Sequence, residues 1–374
     1  MKGLVIWAQS ACRSQMSLYR SLGRALDVDV IVPVWFYKKT KDYIDNRNEV
    51  GFCDDEYSDM TIVPVGEDYA RGLQVLDEHP GWTHLFCNYQ GSQTFRQLQL
   101  EAVRRGEMTA IGSESPCNMF AGFKCLLKEI YFRTTLPIKV ASVVKASQFF
   151  VNYSGNDDRY AKMIGWTEEK TIPFGYYPPP IPETMCVPRT TNNHFEILAT
   201  GSLTWHRGSD VLVKALKFLK DRGIAYHATI TQKGPLANQL KQIASDSNLP
   251  IDFPGFVPMA SLKRLYETCS VFVGAGRREP WGMRLNDALN CGAPLVVSRG
   301  MGGVKIVEDY ECGLAFNNED PVDLADKLQR LATNAKLYEE CACNAIVAAK
   351  QCSPDSKAAE LVSLIKRKYP QWIG

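Results

Sequence analysis

Two carboxylate residues and two residues at a predicted helix start lie close together within residues 271–298. Glu279 precedes Asp287 by eight residues, slightly more than two turns of a continuous helix, so both carboxylates can border one crevice. Gly282 and Met283 lie between them, where we predict the first turn of a helix. The unpaired amides and the positive dipole end of a first turn bind anions such as a diphosphate. Backbone amides that bind phosphates, next to carboxylates that bind sugar hydroxyls, would suit a sugar nucleotide as ligand.

The sequence around these residues predicts a βαβ unit that would position them. Residues 271–273 and 295–297 are unbroken apolar runs, as expected for parallel strands covered on both faces. Between them we predict a loop carrying Glu279, a helix that begins at Trp281 and Gly282, and a turn at 291–294. The charged residues would therefore lie at the mouth of the unit.

A similar alternation of strands and helices is predicted along the whole chain. In the first half, strands are predicted at 3–8, 28–36, 83–87, 108–113, 144–154 and 171–177, and helices at 11–26, 93–105 and 118–132. In the second half, strands are predicted at 195–202, 228–231 and 251–256, and helices through 212–219, from 236, and at 261–268, 325–348 and 354–369. This pattern is typical of doubly wound α/β folds.

Length and composition limit the classes of protein to consider. A chain of 374 residues exceeds what one hydrophobic core usually supports, which predicts two domains. Hydrophobic residues at 45%, charged residues at 22% and a net charge of +2 indicate a globular protein with no global affinity for nucleic acid. The sequence shows neither a signal peptide nor a membrane-spanning segment, so its twelve cysteines predict a cytoplasmic protein with reduced thiols. Scattered histidines and the absence of a CxxC pair argue against a zinc site.

A proline-rich segment marks the predicted domain boundary. Residues 178–182 would form a stiff extended connector, and the polar residues 190–193 follow it. We therefore predict a first domain at 1–180, a second at 181–352 and a terminal helix within 353–374.

The stretch that begins at Glu279 resembles the E-x7-E signature of retaining glycosyltransferases with the GT-B fold, especially glycosyltransferase family four, also called group one. Glu-Pro-Trp-Gly opens the stretch and Gly-Ala-Pro-Leu-Val closes it, while Asp287 stands where the family usually has a second Glu. The resemblance implies two Rossmann-like doubly wound parallel-sheet domains that face a deep interdomain cleft. It also implies an acceptor-binding first domain, a donor-binding second domain and a terminal helix that crosses back to the first.

Further motifs in the second domain resemble the family in their order. Gly201 is similar to the glycine after its first strand, and Ser202 follows where a basic residue is common. Arg207 takes the place of a Lys that holds the donor diphosphate; the alternative is a surface cation. Phe256 and Val257 match a family segment that lies near the nucleotide base. The glycine pair at 302–303 matches a glycine turn of the family, and residues 307–314 match the family segment that leads into a strand.

The resemblance implies specific roles for the donor-site residues. Arg207, Ser202 and the amides of Gly282 and Met283 would hold the diphosphate as it leaves. Asp287 would hold the ribose and Glu279 would contact the transferred sugar. Trp281 completes the predicted donor site.

In the first domain the resemblance rests mostly on architecture. Gln9 and Ser10 lie in the turn after the first strand, where relatives often have a glycine-rich turn close to the acceptor. Glu114 follows a strand, at the edge of the sheet where doubly wound folds bind ligands, and is the nearest substitute for a His or Asp that faces the reacting sugar in many relatives. The alternative for Glu114 is a carboxylate that caps a helix at 118–132. His84 lies in an apolar run and is predicted to pack in the core. The polar segment 38–60 is either a solvated loop or a segment that binds the acceptor or touches a membrane.

These observations predict a retaining hexosyltransferase that moves a sugar from a nucleoside diphosphate, most readily UDP- or GDP-linked, to a glycan, lipid-linked or other hydroxyl acceptor. The resemblance implies no metal, because Arg207 and helix amides replace it, and no cofactor beyond the donor. The acidic groups at 54–56 and 157–158 lie away from the donor motifs. The protein would be cytoplasmic, and a peripheral contact with the inner face of the membrane is compatible with this function.

Two other interpretations have different consequences. A GT-B epimerase or phosphorylase would need an added catalytic acid or a pyridoxal phosphate lysine, and neither signature is present. A non-catalytic GT-B subunit that binds a sugar nucleotide or glycan within a complex is the alternative from another class. Variants at Glu279 or Arg207 separate it from an enzyme. The sugar, the nucleotide, the acceptor and the oligomeric state are not encoded in any motif that we identified.

Overall fold

The computed structural model describes residues 1–36, 57, 59–87, 89–155, 159–181, 186 and 195–373. Outside the described residues lie most of the polar segment 38–60 with its three acidic residues 54–56, the acidic pair 157–158, Pro182 and the polar stretch 190–193. None of the described cysteines forms a disulfide. No helix in these ranges combines the length and the apolar character needed to cross a bilayer.

The described elements alternate along the chain. The strands are β1 (Leu4–Ser10), β2 (Val30–Phe36), β3 (Thr61–Pro64), β4 (Thr83–Phe86), β5 (Thr109–Ser113), β6 (Phe150–Asn152), β7 (Thr171–Pro173), β8 (Glu196–Ala199), β9 (His227–Thr231), β10 (Ile251–Gly255), β11 (Val271–Gly274), β12 (Leu295–Ser298) and β13 (Gly313–Phe316). The helices are α1 (Arg13–Leu26), α2 (Tyr69–Glu78), α3 (Gln93–Arg104), α4 (Gly122–Ala146), α5 (Arg159–Met163), α6 (Ser209–Asp221), α7 (Ala237–Asp246), α8 (Met259–Thr268), α9 (Arg284–Asn290), α10 (Val304–Tyr310), α11 (Pro321–Thr333), α12 (Ala335–Gln351), α13 (Pro354–Lys368) and α14 (Pro370–Ile373).

The chain forms two compact α/β units. The first contains Met1–Pro116, Leu126–Pro179 and Ser353–Gly374, and the second contains Cys117–Cys125 and Pro180–Cys352. Each has one parallel sheet, of seven strands in the order β3-β2-β1-β4-β5-β6-β7 and of six in the order β10-β9-β8-β11-β12-β13. In each sheet the first three strands of the unit are added to one side and the remaining strands to the other side, starting next to the first strand. This is the doubly wound arrangement predicted from the sequence.

The core of the first unit is aromatic. Trp7 of β1 stacks on Phe86 of β4, with 5.2 Å between ring centroids, and both are fully buried. His84 is also fully buried, as predicted; its Nδ1 accepts a hydrogen bond from Trp7 Nε1 at 3.2 Å and its Nε2 lies 2.9 Å from Glu107 Oε2. Helices α13 and α14 belong to this unit, where Trp372 packs edge-on against Phe149 at 5.0 Å.

Several predicted element boundaries are wrong. The strand predicted at 144–154 is only β6, because residues 144–146 end the 25-residue helix α4, whose Val140 and Val143 pack in the core. That helix begins at Gly122, not at residue 118. The helix predicted at 325–348 is two helices, because the Asn334 side chain accepts a hydrogen bond from the Leu337 amide at 3.0 Å and caps a new helix. The β3–α2 pair was not predicted.

Three titratable side chains meet at the start of neighbouring strands in the second unit. His227 Nδ1 lies 2.9 Å from Glu196 Oε2 and its Nε2 lies 3.2 Å from Asp252 Oδ2, with all three side chains more than one third exposed. Partial burial lowers the pKa of His227, but the two carboxylates raise it more, so the net shift is upward. The stabilisation is therefore complete below the unfolded-state pKa and is lost as pH rises through the folded-state pKa.

We predict that His227→Gln destabilises the second unit more at about pH 5.5 than at about pH 8. The difference should be a few tenths of a kcal/mol to about 1 kcal/mol, because solvent screens exposed ion pairs. Urea unfolding at both pH values measures it. Glu196→Gln combined with Asp252→Asn should abolish the difference, and a larger loss at about pH 8 would contradict this account.

Candidate functional site

The second unit has an open cavity at the carboxyl ends of β8 and β11, the two strands between which the strand order changes side. From β8 the chain continues to β9 on one side, whereas β11 is followed by β12 on the other. Connections that diverge in this way leave a crevice at the carboxyl ends of the two central strands. A cavity with about 490 Å³ of space, which includes open solvent, occupies this position, and most of its lining comes from the ends of β8 and β11 and the residues that follow them. All its lining residues belong to the second unit.

A short turn after β8 brings Arg207 to the cavity. Residues Trp205–Arg207 form one turn of 3-10 helix, and Gly208 follows with a φ of 68° before α6 begins. A side chain at Gly208 would place its Cβ only 1.9 Å from the carbonyl oxygen of Ala275, so only glycine permits this contact between the turn and the end of β11. Gly201 and Arg207 both line the cavity.

Glu279 lies opposite Arg207 in the same cavity. Its Oε2 is 2.5 Å from Arg207 Nη1, and the side chains are 10% and 33% exposed respectively. Burial raises the pKa of Glu279, and Arg207 opposes the shift only in part. The two groups attract as charges, yet Oε2 of Glu279 and Nε of Arg207 make no aligned hydrogen bond with the residues described. A buried oxygen in this state can accept a bond from a ligand hydroxyl.

The predicted glycine pair holds the loop that carries Glu279. The Glu279 amide donates to the carbonyl of Gly300 at 3.1 Å, and the Gly302 amide donates back to the carbonyl of Glu279 at 3.0 Å. The Gly303 amide donates to the carbonyl of Trp281, also at 3.0 Å. Residues 300–303 therefore position the Glu279 loop through the backbone.

A buried ion pair fixes the same loop from the other side. Arg277 Nη1 and Nη2 donate to the two carboxylate oxygens of Asp210 at 2.7 and 2.6 Å, and Nη1 also donates to the carbonyl of Trp205 at 2.7 Å. Burial raises the pKa of Asp210, but Arg277 lowers it more, so the carboxyl stays ionised. Arg277 thus ties the strand-end loop to α6 and to the turn that carries Arg207.

The helix after Glu279 starts later than predicted. It was expected to begin at Trp281 and Gly282, but α9 begins at Arg284 with Met283 as its N-cap residue. Gly282 has a φ of 94°, which is incompatible with a right-handed helix, and a Cβ there would lie 2.4 Å from Cε of Met301. The amides of Gly282 and Met283 therefore belong to the loop before the helix.

Arg284 is a cavity residue that the sequence analysis missed. It lines the cavity with Glu279 and Arg207, so the lining includes two arginines and one glutamate. Burial lowers the pKa of Arg284, but Tyr266, Asp287 and Glu279 raise it more. A charged residue between Met283 and Leu285 interrupts an otherwise apolar run, and this signal could have identified it.

The structure brings some of the predicted donor-site residues together and separates others. Gly201, Arg207, Glu279 and Gly282 line the cavity. The other predicted donor-site residues of the second unit lie outside this lining: Ser202, Phe256, Val257, Trp281, Met283 and Asp287. Ser202 is exposed, Met283 and Asp287 are half-buried, and Phe256 and Val257 follow β10. The indole Nε1 of the buried Trp281 donates a hydrogen bond to Asn286 Oδ1 at 3.0 Å.

The predicted acceptor residues lie in the first unit. Gln9 and Ser10 are at the carboxyl end of β1, where Gln9 is exposed and Ser10 half-buried. Glu114 follows β5 and is half-buried, and its carbonyl accepts a hydrogen bond from Gln90 Nε2 at 3.1 Å. The helix-capping alternative for Glu114 is wrong, because α4 begins eight residues later.

In the described ranges, no group of three or more His, Cys, Asp or Glu side chains is arranged to hold a metal ion. The charged residues in the cavity lining are Arg207, Arg284 and Glu279. Such a set can bind an anionic ligand that also carries hydroxyl groups.

Residues 185–347 match the family described as Glycosyl transferases group 1. Over 165 residues the chain is 29% identical to the GDP-mannose-dependent alpha-(1-6)-phosphatidylinositol dimannoside mannosyltransferase of Mycobacterium tuberculosis, covering 42% of this chain and 43% of the relative. Over 150 residues it is 29% identical to the putative colanic acid biosynthesis glycosyltransferase WcaL of Escherichia coli, covering 38% and 36%. The chain thus spans about two fifths of the length of the curated relatives that it matches.

The fold is shared over nearly the whole chain with solved structures. Anabaena Alr3699/HepE in complex with UDP superposes with a TM-score of 0.68 over 98% of this chain and 100% of that chain, at 14% identity. The same protein in complex with UDP-glucose gives a TM-score of 0.63 at 14% identity, over 96% and 99%. The two Rossmann-like units have the GT-B fold, as predicted from the sequence.

Proposed function

We propose that this chain belongs to the glycosyl transferases group 1, whose family model matches residues 185–347, and that it is a retaining glycosyltransferase that uses a nucleoside diphosphate sugar. The acceptor would be a hydroxyl group of a glycan, a glycolipid or a similar molecule, and the reaction would need no metal ion. The observation that carries this proposal is the buried Glu279 carboxylate, paired with Arg207 in a cavity at the switch point of the second sheet.

The charges of this cavity suit a donor that has a diphosphate and a sugar. A diphosphate ester carries two negative charges, which Arg207 and Arg284, both in the cavity lining, would neutralise. When phosphate oxygens take the place of Glu279 beside Arg207, the freed carboxylate oxygen can accept hydrogen bonds from the sugar. Donor binding would thus exchange one ion pair for another and prepare Glu279 for its contact.

The same groups can stabilise the transition state. As the bond from the anomeric carbon to the diphosphate oxygen breaks, both electrons leave with the diphosphate, and guanidinium groups and loop amides stabilise that charge. The acceptor oxygen bonds to the anomeric carbon, and its proton passes to a carboxylate or to the departing phosphate. Arg207, Arg284 and the amides of Gly282 and Met283 would take the role that a divalent cation has elsewhere.

The remaining predicted residues complete the proposed substrate contacts. In the second unit, Asp287 would hold the ribose, and Trp281, Phe256 and Val257 would support or approach the nucleotide. In the first unit, Gln9, Ser10 and Glu114 lie at carboxyl ends of strands, where doubly wound sheets bind ligands. The names of the mycobacterial and the E. coli relatives refer to phosphatidylinositol dimannoside and to colanic acid biosynthesis, which favours a glycolipid or glycan acceptor.

We predict that one member of a panel of UDP-, GDP- and ADP-sugars raises the melting temperature of the protein in the presence of a chelator. A ligand at 100 times its dissociation constant stabilises the fold by about 2.7 kcal/mol. Arg207→Gln should weaken this effect at least about tenfold in ligand concentration, because it removes a charged phosphate contact. Arg222→Gln, on an exposed ion pair of the same unit, is the matched control.

The outcomes separate the two candidate classes. Stabilisation that is insensitive to Arg207→Gln, or that requires a metal, would refute the proposed donor site. Stabilisation by a donor without release of nucleoside diphosphate, for any hydroxyl acceptor tested, would favour the non-catalytic GT-B subunit. Retention is checked by determining the anomeric configuration of the product by NMR.

A further inference from the structure

A chain of hydrogen bonds between three side chains reaches the cavity of the second unit. Thr200 directly follows β8, Tyr266 belongs to α8 and Arg284 begins α9. The Tyr266 hydroxyl lies 3.0 Å from Thr200 Oγ1, and a side-chain hydrogen bond also joins it to Arg284. Thr200 and Arg284 line the cavity, whereas Tyr266 is fully buried and outside the lining. Tyr266 therefore connects two residues of the lining from within the protein.

The chemistry of the three groups fixes the direction of this chain. A guanidinium group has only donors, so Arg284 donates to the Tyr266 oxygen. Burial and the charge of Asp287 raise the pKa of Tyr266, so its hydroxyl keeps its proton. Of the two partners only Thr200 can accept that proton, so the Tyr266 hydroxyl donates to Thr200 Oγ1. The Thr200 hydroxyl thus accepts one bond and still has its own proton to donate.

The proton of the Thr200 hydroxyl is available to a ligand. Among the described residues this hydroxyl has no second hydrogen-bond partner besides Tyr266. Thr200 is half-buried and lines the cavity, so an acceptor atom of a bound molecule can reach it. A polar group that leaves bulk water on ligand binding needs such a partner.

Thr200 is linked to both arginines of the cavity lining. Gly201 follows it in the sequence, and a Cβ at Gly201 would lie 3.9 Å from Cδ of Arg207. Arg284 is linked to Thr200 through Tyr266. An anion held by the two guanidinium groups would supply the acceptor for the Thr200 proton. A hydrogen bond to a charged oxygen is roughly twice as strong as one between neutral groups.

We infer that the Thr200 hydroxyl donates a hydrogen bond to a phosphate oxygen of the nucleoside diphosphate, and that Tyr266 and Arg284 orient it for this contact. The inference rests on the proposed function, because it adds a residue to the same donor site. Thr200 is a binding residue, whereas Tyr266 is a positioning residue that acts through Thr200.

The test is the affinity of the full chain for UDP, GDP and ADP by isothermal titration calorimetry, followed by variants with the nucleotide that binds most tightly. Thr200→Val removes the hydroxyl at nearly the same volume and should weaken binding about 10- to 100-fold. Thr200→Ser keeps the hydroxyl and should stay within about threefold of wild type. Thr333→Val is the matched control and should bind like wild type, because it removes an exposed hydroxyl that donates to the Gln329 carbonyl at 2.8 Å.

Tyr266→Phe tests the positioning role. Without the phenol hydroxyl the Thr200 proton is no longer directed to the ligand, so binding should weaken about five- to tenfold. In the double variant the loss should stay within about twofold of that for Thr200→Val alone, because both changes remove one contact, whereas independent effects would multiply. Tyr226→Phe is the matched control, since it removes a buried hydroxyl of the same unit that donates to the Leu216 carbonyl at 2.7 Å.

Three results would overturn the inference. They are an affinity of Thr200→Val within about threefold of wild type, a double variant in which the two losses multiply in full, and a loss for Thr200→Val that disappears with the 2′-deoxy nucleotide, which would assign the hydroxyl to the ribose. Circular dichroism and melting of each variant show that weak binding is not loss of folding. If the wild type bound none of the three nucleotides, the proposed function would fail together with this inference. Wild-type binding that Thr200→Val leaves intact would overturn the inference alone.

Discussion

Glu279→Gln is expected to lower sugar transfer about 100- to 1,000-fold and to leave the protein at least as stable as wild type. The loss of activity follows from the proposed contact of the Glu279 carboxylate with the transferred sugar, which an amide cannot reproduce with the same charge. The measurement is kcat/KM from released nucleoside diphosphate, together with urea unfolding of the same preparation.

The expected stability has a definite sign. Burial raises the pKa of Glu279 in the folded state, so above the unfolded-state pKa the ionised carboxylate makes an unfavourable contribution to folding. The neutral amide removes that contribution at about pH 7 to 8, and the benefit should vanish at about pH 3, where the carboxyl is protonated in both states. Arg207, which loses its partner, is one third exposed and can be hydrated instead.

The matched control for this variant is Glu308→Gln. Glu308 also forms an ion pair with an arginine of the second unit, Arg299, but both side chains are exposed. This control should change neither transfer nor stability measurably. If Glu279→Gln retained transfer within about threefold of wild type, the proposed role of Glu279 would be wrong. If it unfolded the second unit, the residue would be structural.

The strands around the cavity could be predicted because each of them is a short, continuous run of apolar residues. Residues 271–273 and 295–297 are apolar at every position, which only a strand covered on both faces requires, and both runs lie in central strands. The same logic failed at residues 144–154. Val143 and Val144 favour strands by propensity, yet they end α4 because their packing in the first unit outweighs that preference.

The start of α9 could not be predicted from its own residues. Gly282 takes a left-handed conformation, and the atom that would meet a side chain there is Cε of Met301, which follows the next strand. Likewise Arg207 and Glu279 are far apart in sequence and meet only through the sheet. The family resemblance assigned both residues to one donor site, but neither the resemblance nor the spacing predicted the ion pair between them. The roles of Asp287 and Trp281 stay predictions.

Arg284 is a cavity residue that the family resemblance did not predict. The E-x7-E signature is defined by its two acidic positions, and the basic residue between them, Arg284, was given no role in the sequence analysis. The structure places Arg284 in the cavity lining and leaves Asp287 outside it. A charged side chain that interrupts an apolar run is therefore informative even inside a recognised motif.

Arg277→Met is expected to destabilise the second unit by about 2–3 kcal/mol. The variant leaves the Asp210 carboxylate, only 22% exposed, without its bidentate partner, and it removes the hydrogen bond to the Trp205 carbonyl. The estimate lies below the full cost of breaking a buried pair because Asp210 retains some contact with solvent. Urea unfolding measures the change. Arg277 also lies 5.2 Å from the Trp205 ring centroid, so tryptophan fluorescence provides a local probe.

Two further variants separate the ion pair from a general effect of removing an arginine. Arg222→Met breaks the exposed pair with Asp326 and should cost less than about 1 kcal/mol. Arg277→Met combined with Asp210→Asn should recover part of the lost stability, because no unpaired carboxylate then remains buried. An equal loss for Arg222→Met and Arg277→Met would contradict a special role for this pair. Because Arg277 also holds the turn that carries Arg207, donor binding should weaken in Arg277→Met even under conditions where the protein is fully folded.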